Sequence, residues 1–260
     1  MPDQPSMPDQ QEPKLTYSSY LGLDDLLSAQ RPRSAEHDEM LFIVIHQVYE
    51  LWFKQLLHEF TKLQEYLESG DTMHSMRTLR RTLAILKIVV AQLDVLETMT
   101  PTQFRKFRDA LGTSSGFEST QFRELEAVLG RRDFPKWAPH PEAAARPSVF
   151  DSFVRYLAVQ GYDLPPELLN RDVSSAIEAS EAMQQVLKKV YDDDSGAAVV
   201  AELLVDLDEG MQEWRYRHVK MVERTIGGMG GTGGSTGAKY LSSTVGKPTF
   251  PDLWAMRSLG

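Results

Sequence analysis

Apolar residues recur every three to four positions through most of the 260-residue chain, the spacing of one buried face on an α-helix. Alternating Val/Ile/Thr runs joined by hairpin dipeptides are missing, so the pattern predicts an all-α protein. After a short helical stretch from Leu15 to Ala29, the first long helix is expected from about Ser34, as its N-cap, to near Ser69, where Ser69-Gly70-Asp71 interrupts it. A second follows from Asp71 to about Leu96. Thr100-Pro101 opens a shorter helix towards Ala110, residues 112–116 form a turn, and residues 118–129 read as helix again. Residues 131–148, with Pro135, Pro139, Pro141 and Pro147, are expected to be an irregular connection. Three more helices are predicted over residues 149–160, 174–191 and 197–226, before a glycine-rich segment at 227–237. The doubled Met-Pro-Asp-Gln near the start is too short to be a structural repeat.

A hydrophobic content of 42% allows a sizeable core without covalent staples. Cysteine is absent, which excludes disulfides, thiolate-ligated metals, Fe–S clusters and cysteine-bearing zinc sites; any metal must sit on His or a carboxylate. Residues 1–13 are polar and Pro-rich and are expected to be a disordered tail ahead of one helical domain at 14–260. No run approaches ~18 consecutive apolar residues, and the start lacks a basic-then-apolar leader, so the expected compartment is the cytoplasm. A formal charge of −9 gives neither nucleic acid nor an anionic membrane a reason to bind. The expected partner is a small molecule.

Two histidines stand where their helices should bury apolar residues. Phe42, His46, Tyr49 and Phe53 follow i, i+4, i+7, i+11 spacing and share one stripe; three flat rings around an imidazole suit a planar ligand or ordinary core packing. His58 lies about 120° round the helix from His46 and is assigned a structural role. The last long helix carries Leu204, Leu207, Met211, Trp214, His218, Met221 and Thr225 at alternating steps of three and four, with His218 in the seam as a core histidine or a ligand. The glycine-dense run that follows is costly to order unless it stays mobile or approaches a ligand closely, so it reads as a lid or as a linker. Gly246-Lys247 precedes Pro248 and no strand precedes the glycines, which removes the P-loop and Rossmann readings. No His-Glu-x-x-His occurs. A non-haem iron site from His37, Asp38, Glu39, His58 and Glu59 is disfavoured because these residues fall on charged faces expected to be solvated.

The run from His37 to Gln55, HDEMLFIVIHQVYELWFKQ, closely resembles the tryptophan 2,3-dioxygenase family. Further blocks resemble it in the same order: Tyr17-Ser18-Ser19-Tyr20-Leu21, Phe104-Arg105-Lys106-Phe107-Arg108, Ser114-Ser115-Gly116-Phe117, Trp214-Arg215-Tyr216-Arg217-His218, and the glycine run from Gly231 to Gly237. The resemblance implies a homotetrameric helical enzyme that uses b-type haem to insert both atoms of O₂ into the indole 2,3-bond of tryptophan, giving N-formylkynurenine. Carried over residue by residue, it implies His218 as the axial iron ligand and His46 as the distal histidine that meets the indole N–H. Phe42 and Phe104 would wall the indole, Arg108 would grip the substrate carboxylate, and Thr232 would lie near its ammonium. Tyr17, Tyr20 and Leu21 match a segment that reaches into a neighbouring subunit's site.

The residue types suit that chemistry. A neutral imidazole leaves ferrous haem an open position for O₂, and a guanidinium offers a carboxylate a rigid fork. Departures from the family pattern are Phe104 where some members have Tyr, Glu118 where Gln is usual, Ile45 beside the distal histidine, and the lack of aromatic residues at 195–200. They remove no proposed ligand. A haem oxygenase that inserts one oxygen atom into tryptophan or a substituted tryptophan would use every residue named, and a non-catalytic haem-binding protein is the reading from another class.

Overall fold

The computed structural model describes residues 14–134, 142–231 and 237–259. Twelve α-helices occur among them, and no strand. They are α1 (Tyr17–Leu21), α2 (Leu23–Leu27), α3 (His37–Glu68), α4 (Thr72–Leu96), α5 (Pro101–Arg108), α6 (Thr120–Leu129), α7 (Val149–Val159), α8 (Pro166–Leu169), α9 (Glu181–Asp192), α10 (Gly196–Ile226), α11 (Ala238–Ser242) and α12 (Pro251–Ala255). The all-α expectation holds for the described residues. The expected tail at 1–13 lies outside them.

Three long helices, α3, α4 and α10, form the frame, with α4 packed against both others. Their apolar stripes meet in a core that includes Phe60, Leu63 and Leu67 from α3, Leu79, Val89 and Leu93 from α4, and Val200, Leu204 and Leu207 from α10, all essentially inaccessible to solvent. α3 folds back into α4 through Gly70, whose φ of +77° is open to glycine without strain, and Asp71 then caps α4 by accepting from the His74 amide at 3.0 Å. The phenol of Tyr49 donates to the Val89 carbonyl across this pair at 3.1 Å. α10 approaches α4 closely at Gly210, where a Cβ would lie 2.7 Å from a methyl of Leu86. α7 and α6 flank α3.

Some boundaries depart from expectation for local reasons. α3 begins at His37 rather than at Ser34, because the Glu39 carboxylate accepts from the amides of Arg33 and Ser34 and from the Ser34 hydroxyl. Ser34 is thereby a donor in the preceding turn and not an acceptor at a cap. Residues 174–180 are not helical: the Asp172 carboxylate captures the hydroxyls of Ser174 and Ser175 at 2.7 and 3.0 Å, a local alternative to helix, and α9 starts after Ser180. α6 starts at Thr120 with Ser119 as cap, behind a 3₁₀ turn at Gly116–Glu118. Beyond Arg108, α5 continues to Leu111 as 3₁₀ helix. Helices α8, α11 and α12, at four or five residues each, are too short to show a period. Glu39 and Glu59, expected on solvated faces, are 1% and 5% exposed; Glu59 is held by Gln55 and Arg81.

The chain's last segment is fastened to α10 by one carboxylate. Asp208, 1% exposed, accepts from the amides of Thr249 and Phe250 and from the Trp254 indole, all within 3.0 Å. Asp208→Ala leaves these buried donors without an acceptor, so the expected cost is about 3 kcal/mol or more. Urea unfolding followed by tryptophan fluorescence measures it, and a loss below 1 kcal/mol would show that water replaces the carboxylate.

Candidate active site

One cavity collects most of the residues singled out by the sequence. Phe42, His46, Tyr49 and Phe53 from α3 line it, as do Phe104 and Arg108 from α5 and Trp214, His218, Met221 and Thr225 from α10. α3 supplies its aromatic stripe because residues four and seven apart lie on one face; α10 supplies His218 because its seam turns into the same space. Phe122 from α6 closes the wall, with its ring 4.9 Å from Trp214 and 5.4 Å from Phe53. Leu93, Leu96 and Met99 complete the apolar lining.

The two imidazoles are held differently. His46 Nδ1 lies 2.7 Å from the carbonyl oxygen of Phe42, one turn earlier on the same helix. A carbonyl only accepts, so Nδ1 carries the proton and Nε2 keeps a free lone pair. The Phe42 ring lies 4.1 Å from the imidazole, centroid to centroid, and 5.8 Å from Phe104. His218 stacks on Trp214 at 5.0 Å with 20° between the planes. Burial lowers the pKa of both histidines; for His46 the Phe42 carbonyl and Glu50 work against that shift. His218 is pushed down to about 4 by burial, with the His46 imidazole adding to the effect. Both rings are therefore neutral at physiological pH, and a neutral imidazole is the form that ligates iron.

Arg108 reaches the glycine-rich segment. One Nη donates to the Gly230 carbonyl at 2.6 Å and the other contacts the Met229 sulfur. The two ends of that segment meet at Gly237, where φ is +60° and a Cβ would stand 2.8 Å from the Met229 carbonyl oxygen, so a side chain is barred there. Thr232 lies outside the described residues. Tyr17, Tyr20 and Leu21 are not brought to this cavity: they are 77%, 73% and 43% exposed. His58, assigned a structural role, is exposed on the far side of α3 and lines a separate surface pocket with Glu59, Lys62 and Arg77.

Sequence reasoning missed a charged end of the cavity, formed by Arg123, Glu126, Arg131 and Arg215. Arg215 stands in the same block as His218, and its place three residues before the histidine was the available clue. The residues present fit the iron porphyrin implied by the resemblance. A neutral imidazole, a shell of aromatic and aliphatic side chains, and a buried guanidinium with its Nε unpartnered match a planar apolar ring that carries a metal and carboxylates.

Comparison with known proteins decides the family. Residues 3–138 and 179–259 match the family described as tryptophan 2,3-dioxygenase. The chain belongs to the tryptophan 2,3-dioxygenase family. It is 60% identical to the tryptophan 2,3-dioxygenase of Anaeromyxobacter dehalogenans, over 94% of this chain and 95% of that protein. With the tryptophan 2,3-dioxygenase of Herpetosiphon aurantiacus it shares 54% identity, and with that of Caulobacter vibrioides 43%, each over 94% of this chain and 98% of the relative. In this member of the family, α3 and α10 carry the two cavity histidines and α5 carries Arg108.

The depressed histidine pKa values set a pH dependence. Above the ordinary value of 6.5 neither folded nor unfolded chain binds the proton, so His218 contributes nothing. As pH falls from 6.5 towards 4, the unfolded chain takes up a proton that the folded chain refuses, and stability is lost. The urea midpoint of the haem-free chain should therefore fall between pH 7 and 5, and His218→Gln should flatten that slope. An unchanged slope in the variant would show that His218 is as easily protonated folded as unfolded.

Proposed function

We propose that this chain is a haem-dependent dioxygenase that cleaves the indole 2,3-bond of L-tryptophan, adding both atoms of O₂ to give N-formylkynurenine. The observation that carries the reading is the meeting of His46, with its Nδ1 proton committed to Phe42, and His218 in one aromatic cavity. The strength of the family match supports it.

In this reading His218 holds b-type haem through its iron, and the haem supplies the binding and activation of O₂. The free Nε2 lone pair of His46 accepts the indole N–H and fixes which edge of the ring faces the cavity centre. Phe42 and Phe104 flank the indole. Phe104 has no hydroxyl, so recognition of the substrate carboxylate falls to Arg108, which keeps donors to spare beyond those given to Gly230 and Met229. Thr232, in the adjoining loop, is assigned to the ammonium. The wall formed by Leu93, Leu96, Met99 and Phe122 excludes water from the reacting centre.

The exposed N-terminal segment fits a site shared between subunits. Leu15, Tyr17, Tyr20 and Leu27 are 70–77% exposed, and neither α1 nor α2 contains a buried residue. Apolar surface concentrated in this way favours cover by another chain. In a homotetramer, Tyr17, Tyr20 and Leu21 would complete a neighbour's cavity. No described helix is long and apolar enough to cross a membrane.

Aerobic turnover of the ferrous enzyme with L-tryptophan under ¹⁸O₂ tests the reaction. A product carrying two labelled oxygens is expected, and a single labelled oxygen in an oxindole would replace ring cleavage by mono-oxygenation. His218→Ala should purify with little or no haem, whereas His46→Ala should keep its haem and lose activity only in part. Normal haem in the first variant or its absence in the second would reverse the assignment.

Truncation tests assembly. Removal of residues 1–13 should leave oligomer and turnover intact, while removal of residues 1–21 should weaken both, since each buried Tyr or Leu contributes up to about 1.5–3 kcal/mol. A fully active, unchanged oligomer lacking residues 1–21, seen by sedimentation, would rule out the shared site.

A further inference from the structure

The charged end of the cavity is built around a single carboxylate. Arg123 and Glu126 lie three residues apart on α6 and pair at 2.7 Å. After α6, Gly130 at φ +113° turns the chain, and the Arg131 amide returns to the Glu126 carbonyl. The Arg131 guanidinium then meets the other Glu126 oxygen at 2.5 Å. Arg215, one turn before His218 on α10, approaches that oxygen at 3.5 Å. Arg123, Arg215 and Glu126 are 4%, 8% and 2% exposed.

Charge does not balance there among the described residues. Three guanidiniums surround one buried carboxylate. Asp133 binds Arg131 from the solvent side, being 53% exposed, and both Asp208 oxygens are already engaged by the amides of Thr249 and Phe250 and by Trp254. The adjoining segments 135–141 and 232–236 contain neither Asp nor Glu. Burial of cations without matching anions is strongly unfavourable, and the Arg215 Nε is buried with no partner at all.

We propose that Arg123, Arg131 and Arg215 form a carboxylate receptor that seats a propionate of the iron porphyrin, with Glu126 as the fixed anion holding the three guanidiniums in place. The proposal rests on the haem reading above. Two carboxylates could reach this cavity, that of the porphyrin and that of the amino acid. Placement favours the porphyrin, because Arg215 shares α10 with the axial histidine at one turn's distance, whereas Arg108 already stands at the glycine-rich loop. Glu126 would then prevent repulsion among the guanidiniums before the cofactor arrives, and the incoming carboxylate would supply the missing charge.

The test compares haem with its dimethyl ester, which keeps the ring and iron but has no free carboxylate. Each is loaded into the full chain, and its release to excess apomyoglobin is followed in the Soret band. The wild type should release the ester about tenfold or more faster than haem, the effect of losing a charge-assisted bond. In Arg215→Gln and Arg123→Gln this ratio should shrink towards one, and in Arg215→Lys most of it should remain. In Glu126→Gln it should stay at least as large as in the wild type. Because the ratio is taken within one variant, a general loss of stability cancels. An unchanged ratio in both glutamine variants overturns the proposal. A collapse of the preference for tryptophan over tryptamine in Arg215→Gln, with the porphyrin ratio intact, also overturns it and gives the receptor to the amino acid. Failure of the wild type to bind either porphyrin overturns the haem reading itself.

Discussion

The orientation of α10 against α4 is the constraint on which the site depends. A helix that carries one histidine in an apolar seam can aim it only by fixing its own rotation, and α10 is fixed where Gly210 lets its backbone come down on Leu86. With that contact set, Leu204, Leu207 and Met211 are buried, and two turns further along the same seam opens on the cavity at His218. The same rotation puts Asp208 over the C-terminal segment and Arg215 over Glu126. One helix thus carries the axial ligand, the clasp for the chain's end and a member of the charged cluster, and a change in its rotation would move all three together.

Packing also explains how two imidazoles come to share a cavity while staying neutral. Each protonated ring would be stripped of water and placed near the other, and neither has a carboxylate hydrogen-bonded to it. Phe42 adds a directional term on one side only, because its carbonyl takes the Nδ1 proton of His46. On the other side Trp214 fixes the plane of His218 by stacking. The pair is therefore differentiated before any ligand arrives: one ring is oriented to accept a hydrogen bond, and the other stands in a stacked aromatic setting that suits metal ligation.

The cavity has two polar exits of different character. At the glycine-rich loop, Arg108 bonds a backbone carbonyl that a substrate carboxylate could join or replace, and the positive φ at Gly237 lets the loop close on itself where a side chain would clash. At the α6 end, the charges are sequestered and held by Gly130 and Glu126. A mobile exit suits a substrate that comes and goes, and a rigid buried one suits a cofactor that stays.

The sequence by itself determined the helical class, the long helices α3, α4 and α10 to within a few residues, and the stripes that carry Phe42, His46, Tyr49, Phe53 and His218. These follow from a 3.6-residue period and from local caps such as Asp71, Ser119 and Ser148, which act within one turn of chain. Boundaries went astray where a side chain found a partner of unexpected kind, as when Glu39 drew Ser34 away from capping and Asp172 drew Ser174 and Ser175 away from helix. The resemblance of separate blocks named the family and pointed to His46, His218 and Arg108, but it left Arg123, Glu126 and Arg131 as ordinary charged positions on or just after a helix. Only tertiary structure decided that Glu126 faces three guanidiniums in a cavity wall, because their pairing joins α6, the turn after it and α10. Burial and charge balance are properties of a volume enclosed by distant segments, and no period along the chain records them.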